Sequence, residues 1–229
     1  MPASPHRSRT ATFFRNNGLS LTITAMFLVF MGAQVFTGHA QWNEERQERG
    51  EPALPVAQYL GSGHFLEATA ENWESEFLQM AFYVWLTSFL FQKGSSESKK
   101  LDEPMPVDRD PRRSRNKKNA PWPVKRGGLA LWIYQYSLSY AFALLFLGSI
   151  ALHAVGGARA ESAERIARGE APVSALQYVG GSRFWFESFQ NWQSEFLSLS
   201  AMVVLSIFLR HRGSPESKPV DAPHHETGD

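Results

Sequence analysis

The sequence contains no cysteine. Disulfide bonds and thiolate metal sites are therefore excluded. It also lacks a nucleophile elbow, a glycine-rich phosphate loop and a His-Glu-x-x-His zinc motif, which are common signatures of enzymes. The formal net charge of +1 does not by itself indicate an acidic or nucleic-acid partner. From these absences we expect no enzymatic activity, no catalytic residues, no cofactor, no metal site and no nucleic-acid partner.

Apolar residues are concentrated in four blocks, although the mean hydropathy of the whole chain is only −0.28. A helix needs about 20 residues to cross the hydrocarbon core of a bilayer. The first and third blocks, 18–40 and 129–155, meet that length outright. The second and fourth, 72–92 and 191–210, reach it only if their polar first turns lie at the membrane interface. Buried core helices of a soluble protein are the alternative for these two blocks.

The motif Asn-Trp-Glu-Ser-Glu-Phe-Leu at residues 72–78 returns at residues 191–197 with Gln in place of the first Glu. Residues 18–104 align without a gap on residues 137–223. Roughly a third of the aligned positions are identical, against about one in sixteen expected by chance, which indicates an internal duplication. The sequence therefore predicts an all-α membrane protein with four transmembrane helices, arranged as two tandem homologous helical hairpins.

The chain is thereby predicted to have five parts. They are a cytoplasmic N-terminal tail (1–17), a first helical hairpin (18–92), a basic, proline-rich cytoplasmic linker (93–128), a second helical hairpin (129–212) and a disordered C-terminal tail (213–229).

The N-terminal segment has a second interpretation. Residues 1–17 contain three arginines and no acidic residue ahead of an apolar run, which also describes a secretory signal peptide cleaved after Ala40. The run is longer than the about 7–15 residues of a signal-peptide core, and its duplicate at 137–157 is internal to the chain. We therefore expect a retained first span.

Basic residues in the flanking segments predict the orientation. The N-terminus, the linker and the C-terminus from residue 210 hold three, eleven and three Lys or Arg, whereas the two hairpin loops, 39–71 and 156–190, hold two and four. The positive-inside rule then puts both termini and the linker in the cytoplasm and both hairpin loops outside. The two hairpins have the same orientation and would be related by a pseudo-twofold axis along the membrane normal.

Polar residues of the predicted spans recur on one helical face, which we expect to point into the bundle. Glu76 and Glu195 lie about one turn inside the outer starts of spans two and four, and Gln34 and His153 lie at the same depth in spans one and three. Two carboxylates and an imidazole at one level could share protons or bind a cation. The candidate polar or ion site comprises Asn72, Glu76, Asn191, Glu195, Gln34 and His153.

A purely structural interpretation of these residues stays open. Asn is a favourable helix N-cap, and Glu in the following turn suits the positive end of the helix dipole. Trp73 and Trp192 would then be interfacial anchors. Haem ligation by His39 and His153 is disfavoured because the two are not equivalent in the duplication.

The paired Asn-Trp-x-Ser-Glu-Phe-Leu motifs, each preceded by Gln-Tyr-(Leu/Val)-Gly, resemble an uncharacterised family of small bacterial multi-spanning membrane proteins, known as a domain of unknown function. The resemblance covers about residues 18–212. It implies a multi-pass protein of the bacterial inner (plasma) membrane and supplies no activity and no catalytic residues.

The function expected from the sequence is that of a non-enzymatic structural or accessory envelope protein. Its partners would be the lipid bilayer and either further copies of the chain or another membrane protein. The alternative is a small proton- or cation-linked transporter or channel that uses Glu76 and Glu195. The basic residues of the linker are explained by topology and by attraction to anionic lipid.

Overall fold

The computed structural model describes residues 9–228, so the first eight residues of the predicted N-terminal tail and Asp229 lie outside the described part. Within it the regular structure is entirely helical, as predicted. The helices are α1 (Arg9–Glu48), α2 (Val56–Tyr59), α3 (Gly63–Leu86), α4 (Trp122–Arg126), α5 (Gly128–Gln135), α6 (Ser137–Ala167), α7 (Ala175–Val179) and α8 (Ser182–Phe208). Two short 3₁₀ turns, Pro106–Asp108 and Pro111–Ser114, precede α4.

Two compact units, Met1–Phe65 and Leu66–Asp229, divide the chain. The boundary lies in the first turn of α3, whereas we expected the two hairpins to separate at the linker. The difference arises because α3 packs against helices that follow the linker. The Gln79 amide on α3 donates to the Glu195 carbonyl and the Ser198 hydroxyl of α8.

In the first unit, α1 is joined to α2 by a loop that side chains of α1 hold in place, among them Asn43, Arg46 and His39. The Asn43 carboxamide accepts a hydrogen bond from the Leu54 N–H at 2.8 Å and donates to the Leu54 carbonyl at 3.1 Å. Gly50, with φ of +75°, reverses the chain between them, which is a left-handed conformation that favours glycine. Tyr59 is then buried beside Gly38, where a Cβ atom would overlap its ring.

The second unit contains the same loop at the aligned positions. The Ser162 hydroxyl contacts both the N–H and the carbonyl of Val173 at 3.0 Å. Gly169, with φ of +76°, makes the reversal, and Tyr178 is buried against Gly157. The aligned halves of the sequence therefore adopt matching local structures in their helix–loop–helix segments.

Among residues 9–228, two helices are long and apolar enough to cross a membrane by length and composition, namely α1 and α6, each with a mean hydropathy of 1.9 over its most apolar stretch. None of that stretch in α1, and 17% of it in α6, is buried within the structure. The predicted second and fourth spans correspond to α3 and α8, which do not meet the same criterion. Both begin about nine residues earlier than predicted, in sequence that mixes polar and aromatic residues.

The C-terminal segment is folded onto the start of the linker, in contrast to the expected disordered tail. Gly228 donates its N–H to the Ser95 carbonyl at 3.0 Å. The Lys218 ammonium is 1% exposed and donates to three backbone carbonyls, those of Pro223, His224 and Glu226. An ammonium group has three N–H donors, so this arrangement satisfies it completely and stabilises the tail.

Candidate functional site

A group of charged side chains lies where α3, α6 and α8 meet in the second unit. Three glutamates are on one face of α3, because residues three and four apart in a helix share a face. Helix α6 contributes a histidine, α7 a tyrosine, and α8 an arginine and a glutamate four residues apart. We call these residues the acid–histidine cluster: Glu67, Glu71, Glu74, His153, Tyr178, Arg183 and Glu187.

His153 is at the centre of the cluster and is completely buried. Its Nδ1 lies 2.8 Å from a carboxylate oxygen of Glu74, and its Nε2 lies 3.4 Å from one of Glu187. A neutral imidazole has one N–H donor and an imidazolium has two. Both contacts are therefore hydrogen bonds only when the imidazole, or one of the two carboxylates, carries an additional proton.

Glu74 is the most deeply buried carboxylate of the cluster, with no exposed surface. Its second oxygen accepts a hydrogen bond from the indole N–H of Trp192 at 2.9 Å. Trp192, which the sequence predicted as an interfacial anchor, thus also holds a buried carboxylate. Burial of an unpaired charge is costly, so these two partners are what allow Glu74 to remain in the core.

Arg183 joins carboxylates from three helices. Its Nε donates to Glu187 at 2.9 Å, and its two terminal nitrogens lie 3.4 Å from Glu67 and Glu164. When Glu164 is added to the glutamates of the cluster, five carboxylates face one guanidinium and one imidazole. The site therefore has an excess of negative charge, which favours binding of protons or a cation.

The Tyr178 hydroxyl lies between two carboxylates. It is 2.8 Å from a Glu67 oxygen and also contacts Glu187. Burial raises the pKa of Tyr178, and both carboxylates raise it further, so the phenol keeps its proton. That single proton can be donated to one carboxylate only. A proton on the other carboxyl group would complete the second hydrogen bond.

The glutamates of the cluster differ in pKa. Burial raises the pKa of Glu71 to about 7; the positive charge of His153 opposes this increase, and the negative charge of Glu187 reinforces it. Burial also raises the pKa of Glu67, against the hydrogen bond from Tyr178. Two neighbouring glutamates thus hold protons more readily than an exposed carboxylate does.

Glu187 differs from these two glutamates because it accepts hydrogen bonds from several donors. Burial acts to raise its pKa, but hydrogen bonds from His153, Tyr178 and Arg183 outweigh burial and lower the pKa to about 2. Carboxyl groups with well separated pKa values in one site are typical of sites that transfer or share protons.

A metal ion is a possible second occupant of the cluster. One ligand atom from each of Glu71, His153 and Glu187 lies within 4.8 Å of the others. Carboxylate oxygens and an imidazole nitrogen suit a divalent cation such as Zn²⁺ or Mn²⁺. Both imidazole nitrogens already contact carboxylates, however, and Arg183 contacts Glu187, so a metal would have to displace existing pairs. The geometry therefore fits protons better than a metal.

The predicted pair Glu76 and Glu195 is brought together, but outside the cluster. Glu76 is exposed and Glu195 is half-buried, close enough for their charges to interact. Glu74 occupies the buried position instead. Because residues two apart in an α-helix are separated by about 200° of rotation, Glu74 and Glu76 point to nearly opposite sides of α3.

The other predicted site residues lie within helices. Asn72 and Asn191 donate to the carbonyls four residues before them, so neither caps a helix. The capping interpretation fails because α3 and α8 begin well before these residues. Trp73 is half-buried on α3, and Gln34 is half-buried on α1 in the first unit.

Sequence reasoning found His153 and missed the rest of the cluster. The glutamates of α3 are spaced at 67, 71 and 74, a pattern that indicates a helical face once the helix is extended towards its true start. The alignment of the two halves of the sequence did not reveal the site, because residues of the cluster differ between the aligned halves. Glu187 aligns with Ala68, Arg183 with His64 and Glu74 with Gln193.

Comparison with known proteins matches the chain to a protein family. The model of a protein family described as "Domain of unknown function (DUF6766)" matches residues 10–229. No curated protein and no solved structure matches the chain.

Proposed function

The chain belongs to this family of unknown function, and we propose that it is an integral membrane protein that binds protons or a cation at the acid–histidine cluster, as a small proton- or cation-linked transporter or channel. The proposal changes the site residues from Glu76 and Glu195, expected from the sequence, to the buried cluster built around His153.

The observation that carries the proposal is the arrangement of His153 and Tyr178, each placed between two carboxylates. When His153 and Tyr178 are neutral and their carboxylate neighbours are ionised, each side chain has one donor hydrogen for two carboxylates, so one of its two hydrogen bonds cannot form. Additional protons complete both, and the excess of carboxylates supplies the charge that attracts them. Ionisable residues within membrane spans, as proposed for His153 and Glu74, commonly mark proton or ion pathways.

The proposed membrane architecture has four spans at the predicted positions 18–40, 72–92, 129–155 and 191–210, in the apolar parts of α1, α3, α5 with α6, and α8. Glu67, Glu71 and Glu187 precede the spans of α3 and α8. Large apolar side chains on α1 and α6 support it, since they have no covering in the structure: Leu19, Val29, Phe36, Leu144 and Leu147 are 57–76% exposed. Contiguous exposed apolar surface of this kind is typical of a lipid or protein interface.

The proposed duplication is supported by the matching loops, in which Asn43 and Ser162 play the same part. It is also supported by the contact between Gln79 and Ser198, which are aligned positions of the two copies and meet each other. Contact between equivalent residues is expected at a pseudo-twofold axis.

The proposed location is the bacterial inner membrane, with both termini and the linker in the cytoplasm. This orientation rests on the distribution of Lys and Arg. It brings the acid–histidine cluster to the outer side, since His153 is towards the end of its span and Glu74 and Glu187 are near the outer ends of theirs. Protons or cations would therefore reach the cluster from outside.

A structural or accessory envelope protein is the second candidate. Arg183 favours it, because one guanidinium that joins three carboxylates can serve to fasten helices together. The uncovered apolar surface of α1 also suits a partner helix or a second copy of the chain. In this case the cluster would stabilise the fold without exchanging ions.

Proton flux distinguishes the two candidates. The full chain is reconstituted in liposomes with a pH-sensitive dye inside, and a pH gradient is applied. Valinomycin and potassium are present so that no membrane potential builds up to oppose proton flux. We expect the wild type to discharge the gradient at least tenfold faster than empty liposomes. Glu187→Gln should lower the rate about tenfold or more, because it removes the acceptor shared by His153 and Tyr178.

Glu76→Gln is the matched control, since it removes an exposed carboxylate close to the cluster in sequence, and it should keep the wild-type rate. Tyr178→Phe gives a second variant that leaves all charges in place. Circular dichroism and gel filtration establish that each variant is folded. A wild type no faster than empty liposomes, with either a proton gradient or a gradient of Mn²⁺, would support the structural candidate.

A further inference from the structure

The linker carries a row of basic side chains with no carboxylate to balance them. After Asp110 the next acidic residue in the chain is Glu161. Between them lie seven exposed Lys and Arg side chains before α5, and none forms a salt bridge with any residue from 9 to 228. We call these residues the linker cations: Arg112, Arg113, Arg115, Lys117, Lys118, Lys125 and Arg126.

The linker cations are held close together by the fold. The Asp110 side chain accepts the Arg112 N–H at 3.0 Å and starts the 3₁₀ turn that precedes them. Arg115 donates to the Lys125 carbonyl at 2.9 Å, and the Lys125 ammonium donates to the Lys118 carbonyl at 2.6 Å. Like charges are thus fixed near one another by backbone contacts, so an anionic ligand would relieve their repulsion.

Exposed aromatic residues continue from this basic surface towards α6. Trp122 is 62% exposed, and the Arg126 guanidinium lies over its ring at 5.2 Å. Trp132, Tyr134 and Tyr136 follow and are 45–52% exposed. Aromatic rings next to an apolar helix are typical of the headgroup region of a bilayer. The basic surface and these aromatic residues therefore both precede α6, the apolar helix that is a candidate span, with α5 between the surface and α6.

We propose that the linker cations form a docking surface for the phosphate groups of anionic phospholipids, with Trp122 inserted beside them at the headgroup level. The inference rests on the membrane insertion proposed above and is independent of proton binding. Arg and Lys both bind phosphate oxygens strongly, and the surface carries several of each. A ring of anionic lipid would fix the start of α5 at the cytoplasmic face.

Lipid is favoured over nucleic acid as the occupant by what surrounds the cations. A nucleic-acid complex would leave the exposed side chains of Leu129, Trp132 and Ile133 in water, next to the bound phosphates. A bilayer covers these side chains and supplies the phosphates at the same time. A single surface therefore satisfies both the charged and the apolar neighbours.

The test uses the full chain reconstituted in phosphatidylcholine vesicles that contain either brominated phosphatidylglycerol or brominated phosphatidylcholine as the fluorescence quencher. The difference in emission between wild type and Trp122→Phe isolates the signal of Trp122. We expect phosphatidylglycerol to quench Trp122 with at least a tenfold higher apparent association constant than phosphatidylcholine at low salt. The preference should fall several-fold in about 0.5 M NaCl, because salt screens exposed charges.

Arg112→Gln, Arg113→Gln and Lys117→Gln combined should lower the preference for phosphatidylglycerol at least tenfold, since each cation near the surface contributes about fivefold. Arg168→Gln, on an exposed arginine of the second hairpin loop, is the control for a lost charge and should keep the wild-type preference. Equal quenching by the two lipids in the wild type, or a preference that the triple change leaves unaltered, would overturn the proposal.

Binding of a labelled oligonucleotide tests whether nucleic acid, and not lipid, occupies the surface. If the wild type binds the oligonucleotide tightly at about 0.15 M salt, the triple variant does not, and neither shows a lipid preference, the surface is assigned to nucleic acid instead.

The pH-gradient assay separates this proposal from the proposed function. The triple variant should discharge the gradient like the wild type, because the linker cations contact no residue of the acid–histidine cluster in the described structure.

Discussion

Replacement of His153 by alanine is expected to lower the free energy of unfolding by about 3–5 kcal/mol, the cost of removing one partner from a buried ion pair. The change leaves Glu74, which has no exposed surface, with the Trp192 indole as its remaining hydrogen-bond donor. It also removes a ring that packs on Phe184 with 4.7 Å between ring centroids. Titration of the detergent-solubilised protein with SDS, followed by circular dichroism, measures the loss.

The control for this prediction is Glu76→Gln, on the exposed side of the same helix as Glu74. It should change the free energy of unfolding by less than about 0.5 kcal/mol, the usual scale for surface substitutions. Glu74→Gln should itself cost several kcal/mol, and the double variant with His153→Ala should cost clearly less than the sum of the two. Additive effects of His153 and Glu74, each below about 1 kcal/mol, would contradict a buried pair.

The second large effect is expected at the contact between α6 and α3. A Cβ atom at Gly156 would lie 2.6 Å from the Glu67 nitrogen and 3.0 Å from its Cα. These are backbone atoms, which cannot rotate away as a side chain does, so the two helices must separate. We expect Gly156→Ala to cost about 2–3 kcal/mol of unfolding free energy, in the upper range for overpacking.

Gly148 on the same helix provides the matched control, since a Cβ atom there meets nothing within 4 Å. Gly148→Ala should leave stability unchanged or raise it by up to about 1 kcal/mol, because alanine favours the helix. Both variants are measured by the same SDS titration. If Gly156→Ala is as stable as Gly148→Ala, the close approach of α6 and α3 at Glu67 is wrong.

The helical architecture could be predicted because it depends on patterns that repeat along the chain. Apolar runs marked the long helices, and Gly50 and Gly169 marked the chain reversals after α1 and α6. The positions of the helix starts were predicted less well. The sequence predicts the second and fourth spans from Asn72 and Asn191 onwards, whereas tertiary packing of residues such as Phe184 and Glu67 extends both helices through the mixed polar and aromatic sequence before them.

The candidate site could be predicted only in part, because a repeated motif directs attention to residues that both copies share. Glu76 and Glu195 are shared, and they lie outside the cluster. The chemically distinctive residues are those in which the copies differ, and their proximity depends on how α3 packs beside α6 and α8. A shift of two residues in the assignment of the buried face of α3 is enough to select Glu76 in place of Glu74.

The C-terminal tail illustrates a different limit. Its composition, rich in Pro and in acidic and other polar residues, is typical of disorder. The fold of this segment depends on a specific arrangement of three carbonyls around the Lys218 ammonium. Composition does not report such an arrangement, since it requires particular backbone geometry and not a particular residue content.

The central claim, that the acid–histidine cluster holds shared protons on its carboxyl groups near neutral pH, is tested most directly by infrared difference spectroscopy of the purified full chain. The carbonyl-stretch band of a protonated, buried carboxyl group is followed from pH 5 to pH 9. Since burial raises the pKa of Glu71 to about 7, we expect a band that is full at pH 5, half lost near pH 7 and absent at pH 9. Glu71→Gln should remove that band and Glu76→Gln should leave it. A spectrum in which no carboxyl group titrates above pH 6, or in which the band survives Glu71→Gln unchanged, would contradict the claim.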